Sequence, residues 1–149
     1  DISNIRYSSD VDPKVVGMNL GKILLREDEQ SGERTWILRM GPSDREKNTS
    51  MPLEIHPHVE EMFLLQGEIS MPTGTLHKGA YFWRPGGIQH GPVGTRLGCL
   101  LFFRCKEGPF RTSWTEEEHL IVWDAPYNPI LPEEFKPYLE TETILRTDY

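Results

Sequence analysis

Cysteine is scarce in this 149-residue chain, and the two that occur, Cys99 and Cys105, share one apolar run, LGCLLFFRC. Six positions apart on a single strand they would stand roughly 20 Å from each other, too far for a disulfide, so both read as reduced core thiols of a cytoplasmic protein. Long apolar runs are missing as well. No stretch reaches the eighteen or so residues of a membrane span, and the opening DISNIRYSSD has neither the basic nor the apolar part of a secretory signal. Without an initial Met, the sequence reads as a processed or trimmed chain, or as one half of a longer two-domain protein. Positive charge is also short. Against 23 Asp and Glu stand 16 Lys and Arg, a net −7 with no basic cluster, which argues against nucleic acid and against an anionic membrane surface as partners.

What the chain does have is β signal. ERTWILRM alternates Trp36, Leu38 and Met40 against Ile37 and Arg39, and it is separated from VVGMNLGKILLRE by the polar turn DEQSGE. GPSDREKNTS reads as a loop. MFLLQGEIS, AYFW, LGCLLFFRC and HLIVW follow as further strands, broken by turns at Pro72-Thr73-Gly74 and Pro85-Gly86-Gly87. Short strands at this spacing predict an all-β sandwich or barrel. The Pro-rich end, with Pro126, Pro129, Pro132 and Pro137, predicts an extended C-terminal arm, with a short helix an option near PEEFKPYLE. One domain over 1–149 accounts for this, with a core barrel over about 14–123 and the arm over about 124–149.

The chemistry-bearing residues fall in two clusters. In GAYFWRPGGIQH, a strand runs into a Pro-Gly turn that aims His90 inward. Upstream lie Glu54, His56, His58, Glu60 and Glu61, followed by MFLLQG up to Gly67. His56 and Glu60 on one straight strand would stand roughly 13 Å apart, beyond the reach of a single ion, so Pro57 and its neighbours must fold the chain between them.

These clusters resemble the two signatures of the cupin superfamily. Gly79, Pro85, Gly87 and His90 fall on the second signature, with Gly94 where Asn is usual. Counting back from Gly67, Glu60 takes the Glu position of the first, His56 its second His and Glu54 its first; in the rival frame His56 and His58 form the His-x-His pair. The resemblance implies a double-stranded β-helix, the jelly-roll cupin barrel, holding one divalent ion (Fe, Mn, Ni, Co or Zn) on Glu54, His56, Glu60 and His90, with His58 competing for the place of Glu54. His77 and His119 match neither signature.

Trp36, Met40, Phe82, Gln89, Phe102 and Arg104 are candidates to line the barrel. Arg104 either meets a substrate carboxylate or pairs with one of the chain's many acids. Two functions remain open. One is a dioxygenase-type enzyme, or a related lyase or isomerase, acting on a small enolisable carbonyl or phenol that chelates through oxygen. The other is a sensor without turnover, like the zinc-bound cupin domain of certain ChrR-like anti-sigma factors, whose strand EEMFLLQGE resembles. Trp114, Trp123, Phe135 and Tyr138 are more aromatic surface than one small barrel buries, which predicts a homodimer.

Overall fold

Period-two alternation decides how these strands lie. In the run Cys99–Lys106, the residues Cys99, Leu101, Phe103 and Cys105 are buried, while Leu100, Phe102, Arg104 and Lys106 are more accessible, as a strand with one dry face requires. The computed structural model of the protein describes residues 20–43 and 50–126. Among them it forms eight strands and no helix: β1 (Gly21–Glu27), β2 (Arg34–Met40), β3 (Ser50–Ile55), β4 (Val59–Met71), β5 (Gly74–His77), β6 (Tyr81–Arg84), β7 (Cys99–Lys106) and β8 (Ser113–Leu120). None of these residues builds a helix long and apolar enough to cross a membrane.

All pairings are antiparallel. Six strands make one sheet in the order β1-β2-β7-β4-β5, with β6 joined to β4, and β3 pairs with β8 in a second, two-stranded sheet. The sheets face each other across a cavity to which both contribute, giving the jelly-roll barrel of a double-stranded β-helix. β4 organises it. The first half of this 13-residue strand pairs with both β6 and β7, and the second half pairs with β5. The β4 ladder to β7 slips between Leu64 and Gln66, and Gly67 then adopts φ 80°, where an added Cβ would lie 2.1 Å from the carbonyl oxygen of Gly98. Only glycine fits there.

Two packed groups fill the interior. Met40, Met51, Leu64, Ile69, Cys99 and Leu101 form one, and Trp36, Phe103 and Cys105 the other, with the Trp36 and Phe103 rings stacked at 4.5 Å. Burying each large side chain stabilises by about 2 kcal/mol, so these faces hold the sheets in register. The polar turn before β2 forms around Asp28, whose Oδ1 accepts the backbone N–H of Gln30 and of Ser31 at 3.0 Å each.

Some expectations change. The last strand is SWTEEEHL rather than HLIVW; its middle is the exposed run Glu116, Glu117 and Glu118, which hid it from an apolar-run reading. Trp114 is not surplus surface, because it lines the cavity. Among the described residues, the aromatic rings that do stand exposed are Phe63, Tyr81, Trp83 and Phe102. The strand expected over VVGMNL, the C-terminal arm and helix, Phe135 and Tyr138 lie outside the described residues, apart from Leu20 at the strand's edge and the arm's first residues, 124–126.

Candidate metal centre

Two turns build the site. β3 ends at Ile55, His56-Pro57-His58 reverse the chain, and β4 begins at Val59, so the fold expected at Pro57 is there and brings Glu60 back toward His56. The second turn follows β6. Its Gly87, at φ 82°, donates its N–H to the His56 carbonyl at 2.7 Å, and a Cβ on Gly86 would come 2.3 Å from the Pro57 carbonyl oxygen. The turns thus pack backbone against backbone and set the His56 and His90 rings 5.0 Å apart. His90 also exchanges both backbone hydrogen bonds with Glu54, at 2.9 Å each. Farther along, Glu68 on β4 accepts the Thr95 hydroxyl and the Arg96 N–H, and this anchors the segment that carries His90.

Both rings are oriented from behind. His56 Nδ1 lies 2.9 Å from the Arg111 carbonyl and 3.2 Å from Thr112 Oγ1, and His90 Nδ1 lies 2.8 Å from the Ile88 carbonyl. A carbonyl only accepts, so each ring keeps its proton on Nδ1 and turns Nε2 inward. The His56 Nε2 is 3.5 Å from Glu54 and 3.2 Å from Glu60; the His90 Nε2 is 3.4 Å from Glu54 and 3.5 Å from Glu60. Two imidazoles and two carboxylates therefore alternate around a closed ring. Donors around a first-row divalent ion with bonds of about 2.1 Å stand roughly 3 to 3.4 Å from their neighbours, so this ring fits one.

Electrostatics agree with the geometry. Burial works to raise the Glu54 carboxyl, but hydrogen bonds and charge from His56 and His90 outweigh it and hold the group at about 2. Burial works to lower His56, and Glu54 and Glu60 overcome it, so its pKa is raised. In the metal-free protein, the raised His56 sets a proton against the carboxylates. An ion would take over that role.

Each expected residue has a definite place. Glu54, His56, Glu60 and His90 line the same cavity, whereas His58 is buried behind His56 and does not line it. Two trios bring metal-ligating atoms within 4.8 Å of one another, Glu54-His56-His90 and His56-His58-Glu60. Arg104 is a correction to the substrate-contact expectation. It sits on the outer face of β7, absent from the cavity wall, and meets Glu61 at 3.6 Å, because strand parity turns it away from Phe103. Trp36, Met40 and Phe82 line the cavity as expected, while Gln89 and Phe102 do not. His77 and His119 lie in β5 and β8, away from the cluster.

Sequence reasoning missed Arg84 and Lys22. Arg84 donates to Glu60 Oε2 at 2.6 Å, and its guanidinium lies 5.2 Å over the Phe82 ring. Its signal was the antiparallel pairing that sets Glu60 opposite Arg84. Lys22 Nζ lies 5.3 Å over Trp36 and 5.1 Å over Phe110. The cavity holds about 310 Å³, and Met40, Met51, Met62 and Met71 all contribute to its wall.

Residues 10–110 match the family profile of the ChrR cupin-like domain, about two thirds of the chain and both donor clusters. The chain belongs to that family. This cupin also resembles solved structures. A Nostoc punctiforme protein described as a candidate dioxygenase aligns at TM-score 0.59 and 19% identity, over 83% of this chain and 40% of that one. A cupin-like protein from Thermotoga maritima aligns at TM-score 0.56 and 14% identity, over 75% and 87%. Acetylacetone dioxygenase from Acinetobacter johnsonii aligns at TM-score 0.50 and 15% identity, over 65% and 72%. At these identities the likeness is one of fold. No curated protein matches the chain in sequence.

Proposed function

We propose that this cupin holds one divalent ion on Glu54, His56, Glu60 and His90 and acts with it on a small oxygen-chelating compound, an enolisable carbonyl or a phenol, in dioxygenase-type chemistry. What carries this reading is that all four side chains open onto one cavity of about 310 Å³. A purely structural site is normally closed. When bound, the ion supplies Lewis acidity at an open position and, if it is iron, reactivity toward O₂.

The chain's own residues shape the rest. Arg84 fixes Glu60 by holding Oε2, which leaves Oε1 turned toward His56. Two carboxylates balance a divalent ion, so the added charge of Arg84 leaves the site net positive and favours an anionic, deprotonated ligand. Lys22 stands at the cavity wall over Trp36 and Phe110. Four methionines and the surrounding aromatic rings exclude water and adapt to the ligand's apolar body. Two fold neighbours with dioxygenase names are in keeping with this class.

A second reading, a metal-binding regulatory cupin without turnover, is favoured by the family itself and by the buried trio His56, His58 and Glu60. Protein purified without added metal and then loaded with Fe(II) separates the two. O₂ uptake with 1,3-diketones or catechols supports the enzyme. Stoichiometric metal with no uptake on that panel, and no metal-dependent thermal shift from any of its compounds, gives the regulatory reading instead.

A further inference from the structure

His58 is the least explained polar group in the barrel. Its side chain is 1% exposed, and neither ring nitrogen has a hydrogen-bond partner. Buried polar atoms are nearly always paired, and one left unpaired costs about 1 to 3 kcal/mol. The ring packs 4.9 Å from His56 and 5.1 Å from Phe110, centroid to centroid. The Pro109 carbonyl is near enough to favour a positive charge slightly, yet makes no hydrogen bond of ordinary geometry. With neither nitrogen engaged, the neutral imidazole offers a free lone pair.

Its position gives that lone pair a use. The ligating atoms of His56, His58 and Glu60 lie within 4.8 Å of one another, and all three residues are buried. We propose that His58 is a third imidazole for the ion at His56 and Glu60, entering its coordination beside Glu54 rather than in its place. The inference rests on the metal reading above and goes beyond it by assigning selectivity. Glu54, His56, Glu60 and His90 alone are an oxygen-rich set that suits Mn(II) and Fe(II), and a third nitrogen shifts preference toward Co(II), Ni(II) and Zn(II). His58 does not line the cavity, so as a ligand it would take no room from a small molecule bound there. The competing account is a buried water bridging the ring nitrogens.

Co(II)-loaded wild-type protein decides the matter by proton NMR. Each coordinated imidazole contributes one exchangeable, hyperfine-shifted N–H resonance; those of His56 and His90 are protected by the Arg111 and Ile88 carbonyls. Three such resonances, the third lost in His58→Leu, support the proposal. Stoichiometric Co(II) with only two overturns it and leaves the metal site intact, whereas failure to bind stoichiometrically sinks the metal reading itself. In competition, His58→Leu should lower the affinity for Zn(II) relative to Mn(II) by about tenfold or more. An unchanged ratio also overturns the proposal, and the wild-type spectrum stands alone if the variant does not fold.

Discussion

Replacing Glu54 by Gln keeps the shape of the side chain and removes its charge, so it isolates what the carboxylate does in the metal-free protein. The Glu54 carboxyl falls from 4.5 to about 2 on folding. That difference corresponds to about 3 kcal/mol, reduced to about 2 to 3 by water at a side chain that remains 19% exposed. A depressed carboxyl contributes stability that is present above its unfolded pKa of 4.5 and is lost as pH falls through about 2. His56 bounds the effect from the other side: its raised pKa contributes fully below 6.5 and is lost as pH rises through the folded value. These are two faces of one contact, so the energy counts once. Urea unfolding of metal-free wild type and Glu54→Gln near pH 3, about pH 5.5 and about pH 8.5 should give its largest difference at the middle value. A difference that does not vary with pH would refute the charge-ring account, and so would one below about 0.5 kcal/mol at the middle pH.

His90→Ala should lower bound metal well below wild type, measured by elemental analysis after desalting; unchanged stoichiometry would remove His90 from the site. Arg84→Met leaves the buried Glu60 carboxylate without its cation, so the metal-free protein should lose about 3 kcal/mol in urea unfolding and the metal-loaded protein less. Equal losses in both forms would contradict a shared role for Arg84 and the ion. Burial pushes the Cys99 thiol to about 12 and Cys105 to about 11, so neither should react with a thiol reagent at neutral pH until the chain unfolds. Phe63, Tyr81 and Trp83, at 41%, 57% and 50% exposed on neighbouring strands, fit a self-association face, and light scattering should report twice the chain mass. A monomer at micromolar concentration would count against it.

Most of the strands and the grouping of His and Glu side chains were legible because each leaves a local mark. Alternation in TWILRM and LLFFRC, the Pro-Gly turn before His90 and the proline after His56 each need only a few neighbouring residues to be recognised. The rest depends on which strands meet. Counting back from Gly67 put Glu54 ahead of His58, but the bridge that sets Glu54 beside His90 joins residues 36 positions apart and leaves no local mark. Arg104 and Arg84 look alike in sequence, yet pairing with β4 places one against Glu61 outside and the other against Glu60 within. The strand at Ser113–Leu120 was overlooked because, among the described residues, it pairs with β3 alone and its middle is an exposed acidic run.

The double backbone bond between Glu54 and His90 makes ion exchange a kinetic matter. A pair of donors mounted on free side chains can release an ion one rotamer at a time, within nanoseconds. Here the two donors are parts of one hydrogen-bonded bridge, and Glu68 fastens the chain just beyond it. The backbones of both residues therefore open only together with that stretch of sheet, so an ion held there would find its two donors kept in register until the bridge opens.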